Sequence, residues 1–175
     1  MKPEVAIVMG SDSDWDIVRK AVDTLDAFEV GSEARVISAH RTPAAAAAYA
    51  SQAARRGIKV IIAAAGGAAH LGGVLAAHTT LPVIGIPVKG GALNGLDALL
   101  ATLQMPAGIP VATVTLGSAG PVNAALLAVQ ILALGAPRLR RKLAAHKRQL
   151  AAKVKQGNLR VQADLAAGDN PRQAG

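Results

Sequence analysis

Lys59-Val-Ile-Ile-Ala-Ala-Ala65 is apolar without a break after its first residue, and Gly66-Gly67 follows at once. A strand with one wet face alternates apolar and polar side chains. A continuous apolar run is what a strand covered on both faces needs. Val83-Ile-Gly-Ile86 repeats the pattern. Working outward from these two runs, the sequence predicts further strands at Val5–Met9, Ala34–Ile37 and Val111–Leu116, the two central ones reaching Lys59–Ala65 and Val83–Val88. Helical spacing of apolar residues predicts helices at Ser13–Leu25, Pro43 to Arg56, Leu71–His78, Leu96–Gln104, Pro121–Leu134 and Arg138–Gln156. Strand and helix in alternation predict an α/β fold, with a parallel five-stranded sheet, right-handed crossovers and helices on both faces.

A chain of 175 residues holds one such domain. It is expected to span 1–156, including the C-terminal helices, with 157–175 a flexible basic tail. The chain is 51% hydrophobic but only 2% aromatic, so its core is built from Ala, Val, Leu and Ile. There are no cysteines, which excludes disulfides and thiolate metal sites. No apolar stretch reaches the ~18 residues of a membrane helix without Gly or polar breaks, and the start carries no signal-peptide pattern. A cytoplasmic protein is expected.

The net charge of +8 lies wholly in residues 138–175; residues 1–137 are neutral. A basic helix of this kind reads as a solvated or subunit-contacting face, and stacking aromatics are nearly absent, so nucleic acid is an unlikely partner. Pro121–Leu134 is apolar nearly all round, which predicts burial between subunits, or else a central core helix.

In parallel α/β sheets ligands bind at the carboxyl ends of the strands. The polar and Gly-rich segments fall there: Gly10-Ser-Asp-Ser-Asp14, Ser38-Ala-His-Arg-Thr-Pro43, Gly66-Gly-Ala-Ala-His-Leu-Gly-Gly73 and Lys89-Gly-Gly-Ala-Leu-Asn94. Gly10 to Asp14 opens a helix whose free N–H groups suit a phosphate, with Ser11 and Ser13 as donors and Asp14 an acceptor for sugar hydroxyls; it also reads as an ordinary helix cap. His40 is suited to proton transfer and Arg41 to an anionic group, with Thr42 capping the helix that Pro43 begins. Gly66–Gly73 permits close backbone approach to a flat ring or carboxylate, and His70 either orients a ligand or caps the next helix. His78 and His146 have no partner constellation. No metal-ligand spacing occurs. Asp97 is the only acid between Glu33 and Asp164, so histidine acid–base chemistry fits better than a two-carboxylate scheme.

Gly10-Ser-Asp-Ser-Asp-Trp15, Ser38–Pro43, Gly66-Gly-Ala-Ala-His-Leu71 and Gln104-Met-Pro-Ala-Gly-Ile-Pro110, in this order over residues 4–135, resemble the PurE family, and its class I members in particular. Those are the 5-(carboxyamino)imidazole ribonucleotide mutases of purine biosynthesis. The resemblance implies a flavodoxin-like three-layer α/β/α sandwich, a homo-octamer, no metal or organic cofactor, and transfer of a carboxylate from the exocyclic nitrogen to C4 of the aminoimidazole ring. By matching position it makes His40 the general acid–base residue. Gly10, Ser11, Asp14 and Arg41 fall with the ribonucleotide, and Ser38, Ala39, Gly66, Ala68, His70 and Leu71 with the ring and carboxylate. Class II members use free carbon dioxide; they typically carry Lys where this chain has Arg41 and lack Gly-Gly-Ala-Ala-His. The competing readings are that class II carboxylase and a non-catalytic phosphoribosyl- or nucleic-acid-binding module. Two positions depart from the family: Gly72 replaces a usual Pro and should loosen the loop beside the ring, and Ala64 replaces a usual Gly and should narrow a close approach.

Overall fold

The computed structural model describes residues 1–168; the end of the expected tail, 169–175, lies outside the described residues. Five parallel strands run β1 (Val5–Met9), β2 (Ser32–Val36), β3 (Val60–Ala65), β4 (Val83–Pro87) and β5 (Ala112–Thr113), in the sheet order β2-β1-β3-β4-β5. This is the flavodoxin-like order. The strands β1, β3 and β4 are buried almost throughout, as their unbroken apolar runs require. Their alternate side chains supply two cores. Val5, Ile7, Ile62, Ile84 and Ile86 pack with α1 (Trp15–Ala27) and α5 (Gly120–Ala133) on one face. Ala6, Val8, Ile61 and Ala63 pack with α2 (Pro43–Arg56) and α3 (Leu71–Ala77) on the other.

Small residues set the spacing of the layers. The buried face of α2 is Ala46, Ala50 and Ala53, and the helix ends at Gly57 in the left-handed conformation (φ 95°). At Gly85, a Cβ would stand 2.3 Å from the Thr102 methyl of α4 (Leu96–Leu103), so glycine is what lets that helix lie on β4.

Three elements differ from the sequence reading. Asp12–Asp14 form a 3-10 turn, capped by the Ser11 hydroxyl accepting from Ser13 N–H at 3.3 Å, and α1 proper begins only at Trp15. β5 pairs over two residues instead of the six expected. Pro110 just before it has no N–H, and Pro87 on β4 offers none further up, so the ladder cannot extend. The last helix, α6 (Pro137–Ala166), does not stop at Gln156 but runs through Gly157 for 30 residues in all. A glycine inside a helix costs only about 1 kcal/mol against alanine, and the Ala, Lys, Gln and Leu residues around it favour helix.

One face of the apolar helix α5 finds its cover inside the chain. Ala124, Ala125, Ala128 and Val129 are fully buried, and α5 lies between α1 and the first turns of α6, whose Leu139 and Leu143 join the same core. The opposite face is less covered: Leu126, Leu127, Ile131 and Leu132 are only part-buried, and Leu134 just past the helix is 81% exposed. No helix of the described residues is long and apolar enough to cross a membrane.

Candidate active site

The carboxyl ends of β2, β1 and β3 are neighbours in the sheet, and the loops leaving them close around one cavity of about 460 Å³. β1 sits at the point where the chain turns first to one side of the sheet and then to the other, which is where such folds leave a crevice. The cavity is lined by Gly10, Ser11 and Asp14 from the first loop, Ser38 to Arg41 from the second, and Ala65, Gly66 and Ala68 to Leu71 from the third. Eleven of the twelve residues expected there are thus brought together; Ser13 is not on the wall, its hydroxyl donating to the Ser11 hydroxyl at 2.9 Å. The Lys89–Asn94 segment, at the end of β4, does not line it, nor does Ala64, whose side chain points into the core with α1 and α5. The Gln104–Pro110 motif is also remote: Met105 packs against Gly73 of α3.

The second loop is fastened to itself. Thr42 occupies the position before α2 but makes no side-chain bond to the helix, contrary to expectation. Its hydroxyl instead accepts from the Ser38 N–H and donates to the Ser38 carbonyl, both at 3.0 Å. The Ser38 hydroxyl accepts from the Arg41 backbone N–H at 3.1 Å and from its Nε at 3.3 Å. Arg41 Nη2 donates to the Gly10 carbonyl at 2.8 Å. The guanidinium is thereby aimed by neutral oxygens alone and keeps its charge for a ligand. It also lines a smaller adjoining cavity of about 300 Å³, with Ser11 and Val36.

His40 Nε2 and His70 Nδ1 are 2.7 Å apart, the rings edge to face with centroids separated by 4.9 Å. His70 makes no cap bond to α3. A bond between two imidazole nitrogens needs one donor and one acceptor, so a single proton lies between them. His70 reaches this place through strained backbone: Ala69 just before it has φ 51°, and Gly67 φ 59°. For alanine the left-handed region costs about 1 kcal/mol, which the turn closed by Ala69 N–H to the Gly66 carbonyl at 3.1 Å offsets. Ala69 and Ala65 line the cavity although nothing in their residue types announces it.

Asp14 is the one carboxylate on the cavity wall. Burial pushes its carboxyl above the ordinary value; a backbone hydrogen bond from Ser11 opposes this and the charge of Asp12 adds to it. Among the described residues no three His, Cys, Asp or Glu side chains group as a metal site.

The profile of the AIR carboxylase family matches residues 4–153. The chain belongs to this family. It is 59% identical over 143 residues to the N5-carboxyaminoimidazole ribonucleotide mutase of Bacillus subtilis, covering 82% of this chain and 88% of that one. It is 56% identical over 148 residues to the protein of the same name from Pyrococcus abyssi, covering 85% and 84%. Two crystal structures of Treponema denticola PurE proteins superpose with TM-scores of 0.83 and 0.82, at 27% and 28% identity, covering 91% and 90% of this chain and 98% of each of those. This AIR carboxylase family fold thus carries the PurE architecture, while its sequence lies much nearer to proteins named mutase.

Proposed function

We propose that this protein is a class I PurE mutase, which converts 5-(carboxyamino)imidazole ribonucleotide to its C4-carboxylated isomer in purine biosynthesis. The observation that carries the reading is the single cavity in which four ionisable groups converge from three loops: Asp14, His40, Arg41 and His70. Relatives named for that activity, at 55–59% identity, support it. Arg41 takes the anionic phosphoribosyl end, with the Ser11 hydroxyl on the same wall; Asp14 accepts from the sugar hydroxyls. The ring lies against Gly66 and Ala68, where the absence of large side chains admits a flat group.

The chemistry needs two proton movements. As the N–carboxyl bond breaks, its electron pair stays on nitrogen, which takes a proton, and carbon dioxide is released within the cavity. C4 then attacks that carbon dioxide, and the proton on C4 must leave. His40 serves as acid in the first step and base in the second, so atoms and charge balance over the cycle. His70, bonded to His40 Nε2, holds the His40 ring in place. No external reagent enters the balance. The active form is a homo-octamer working in the cytoplasm.

Assay of the purified protein with the carboxyamino ribonucleotide, in the absence of ATP and added metal, tests this: the C4 carboxylate should accumulate. Equal turnover of the uncarboxylated ribonucleotide with bicarbonate would instead assign it the carboxylase reaction named in the family description.

A further inference from the structure

The segment Gln104–Pro110 stays outside the cavity, yet it reaches the helix that begins at His70. α3 is only seven residues long, and two of its first three residues are glycines, Gly72 and Gly73. Each glycine costs about 1 kcal/mol against alanine, and so short a helix is not stable by itself. Its first turn therefore takes its place from what packs on it. His70 belongs to that turn: it stands just before α3, and its carbonyl accepts from the Val74 N–H at 2.9 Å. Two side chains from the connection between α4 and β5 close on the two glycines. A Cβ at Gly73 would stand 3.1 Å from Met105 Cε and 3.2 Å from its Sδ, so there is no room for one unless the thioether moves. A Cβ at Gly72 would meet Val111 Cγ1 at 3.5 Å. The backbone that carries both side chains is stiff. Pro106 directly follows Met105, and Pro110 directly precedes Val111. Between them the Ile109 N–H donates to the Pro106 carbonyl at 3.2 Å. Thr113 Oγ1 donates to the Thr102 carbonyl at 3.2 Å, which ties β5 to the end of α4.

We propose that Met105 is a positioning residue: its thioether, seated over Gly73, sets the first turn of α3 and through it the place of His70 Nδ1 against His40 Nε2. The proposal rests on the role given above to His40 and deepens it. The bond between the rings is 2.7 Å long, and a misplacement of about 1 Å at a catalytic group can lower turnover about 10²-fold. An unbranched, polarisable thioether suits an irregular notch of this kind. Met105 is half-buried and does not line the cavity, so truncating it removes no contact from a ligand there. Its effect passes through His70 alone, which separates it from a residue that only stabilises the fold.

The test compares the full-length protein with Met105→Ala, His70→Phe and the two combined. Steady-state kinetics are measured across pH, with far-UV circular dichroism in parallel. The rate at which diethylpyrocarbonate acylates each histidine is read by mass spectrometry, with His146 on α6 as the internal standard. Met105→Ala should lower kcat about three- to tenfold at unchanged KM and helix content, and shift the pH–rate profile in the same direction as His70→Phe. It should also speed acylation of His40 and His70 relative to His146. On the His70→Phe background it should lower kcat no further. Gly73→Ala, which crowds the thioether, should lower kcat as well, and Gly73→Ala combined with Met105→Ala should recover part of either loss. A loss of equal size with and without His70 overturns the proposal, as does wild-type kcat in Met105→Ala. Should Met105→Ala not fold, Met105→Leu and Gly73→Ala carry the same comparison. If the wild type does not turn over the carboxyamino ribonucleotide, the mutase reading falls and the acylation rates decide alone: wild-type rates at His40 and His70 in Met105→Ala overturn the role of Met105.

Discussion

His40 Nε2 and His70 Nδ1 meet at 2.7 Å although thirty residues separate them in the chain. The bond leaves the two rings one proton to share and commits the Nε2 side of His40 to His70, so that Nδ1 is the nitrogen left for other partners. His40→Asn should therefore lower kcat by about 10²–10⁴-fold at unchanged circular dichroism. His70→Phe keeps the edge-to-face ring contact but not the nitrogen. It should reduce kcat about five- to tenfold, the value of one hydrogen bond, with little change in KM and an altered pH–rate profile. Wild-type kcat and profile in His70→Phe would show that the bond does not matter to turnover.

Arg41 is held by the Gly10 carbonyl and the Ser38 hydroxyl, and among the described residues it makes no ion pair. Arg41→Ala should raise KM about tenfold or more through loss of a charge-assisted contact, about 1.5–3 kcal/mol. Arg41→Lys should recover only part, because one ammonium cannot reproduce the fork. Steady-state kinetics on both variants decides this; a KM unchanged in Arg41→Ala would remove the phosphate role.

Asp14 has its carboxyl raised, chiefly by burial. The folded state therefore binds this proton more tightly than the unfolded chain, and the site loses stability as pH rises through the folded value. Asp14→Asn should raise Tm at neutral pH, and the gain should vanish on acidification below the ordinary carboxylate range. The same variant should bind substrate less tightly. Thermal melts across pH, paired with KM, test both halves.

Glu33 on β2 accepts from Tyr49 and Arg56 of α2, each at 2.6 Å. Burial pushes its carboxyl up, but the bonds from Tyr49 and Arg56 and the charges of Arg56 and Arg35 outweigh it and leave it lowered. The Tyr49 phenol is pushed up to about 12, first by burial and then by Glu33. A lowered carboxyl contributes stability above its unfolded range and loses it as pH falls through the folded value. Glu33→Gln should cost about 1–2 kcal/mol at neutral pH, about 2–8 °C in Tm, with the gap to wild type closing in acid. A pH-independent gap would refute the linkage.

Gly72 lies in the first turn of α3 without a positive φ, and a Cβ there would meet Val111 Cγ1 at 3.5 Å, ordinary contact. Gly72→Ala should therefore stabilise the fold by about 0.5–1 kcal/mol by restricting the unfolded chain. Denaturant melts check it. At the next residue the result should differ, since a Cβ on Gly73 comes within 3.1 Å of Met105.

The sequence by itself determined the parallel α/β sheet, because Val60–Ala63 and Val83–Ile86 have no wet face to offer. It also marked the loops after β1 and β3, where the apolar runs give way to Gly10-Ser-Asp and Gly66-Gly, and the loop after β2, where His40 and Arg41 stand together just before the Pro43 helix start. Tertiary structure decided the rest. Spacing shows which residues share an element, but not that His70 meets His40, since that contact runs between two loops on different strands. Nothing in an alanine announces the left-handed turn at Ala69 that delivers His70 there. Thr42 has the chemistry of a helix cap, yet the nearer Ser38 backbone takes its hydroxyl. The mostly apolar α5 does not say which of its faces the chain itself covers, and only the path of α6 shows it: Leu139 and Leu143 of its first turns close the core that Ala124, Ala125, Ala128 and Val129 enter, because packing between distant elements is a property of the fold and not of spacing.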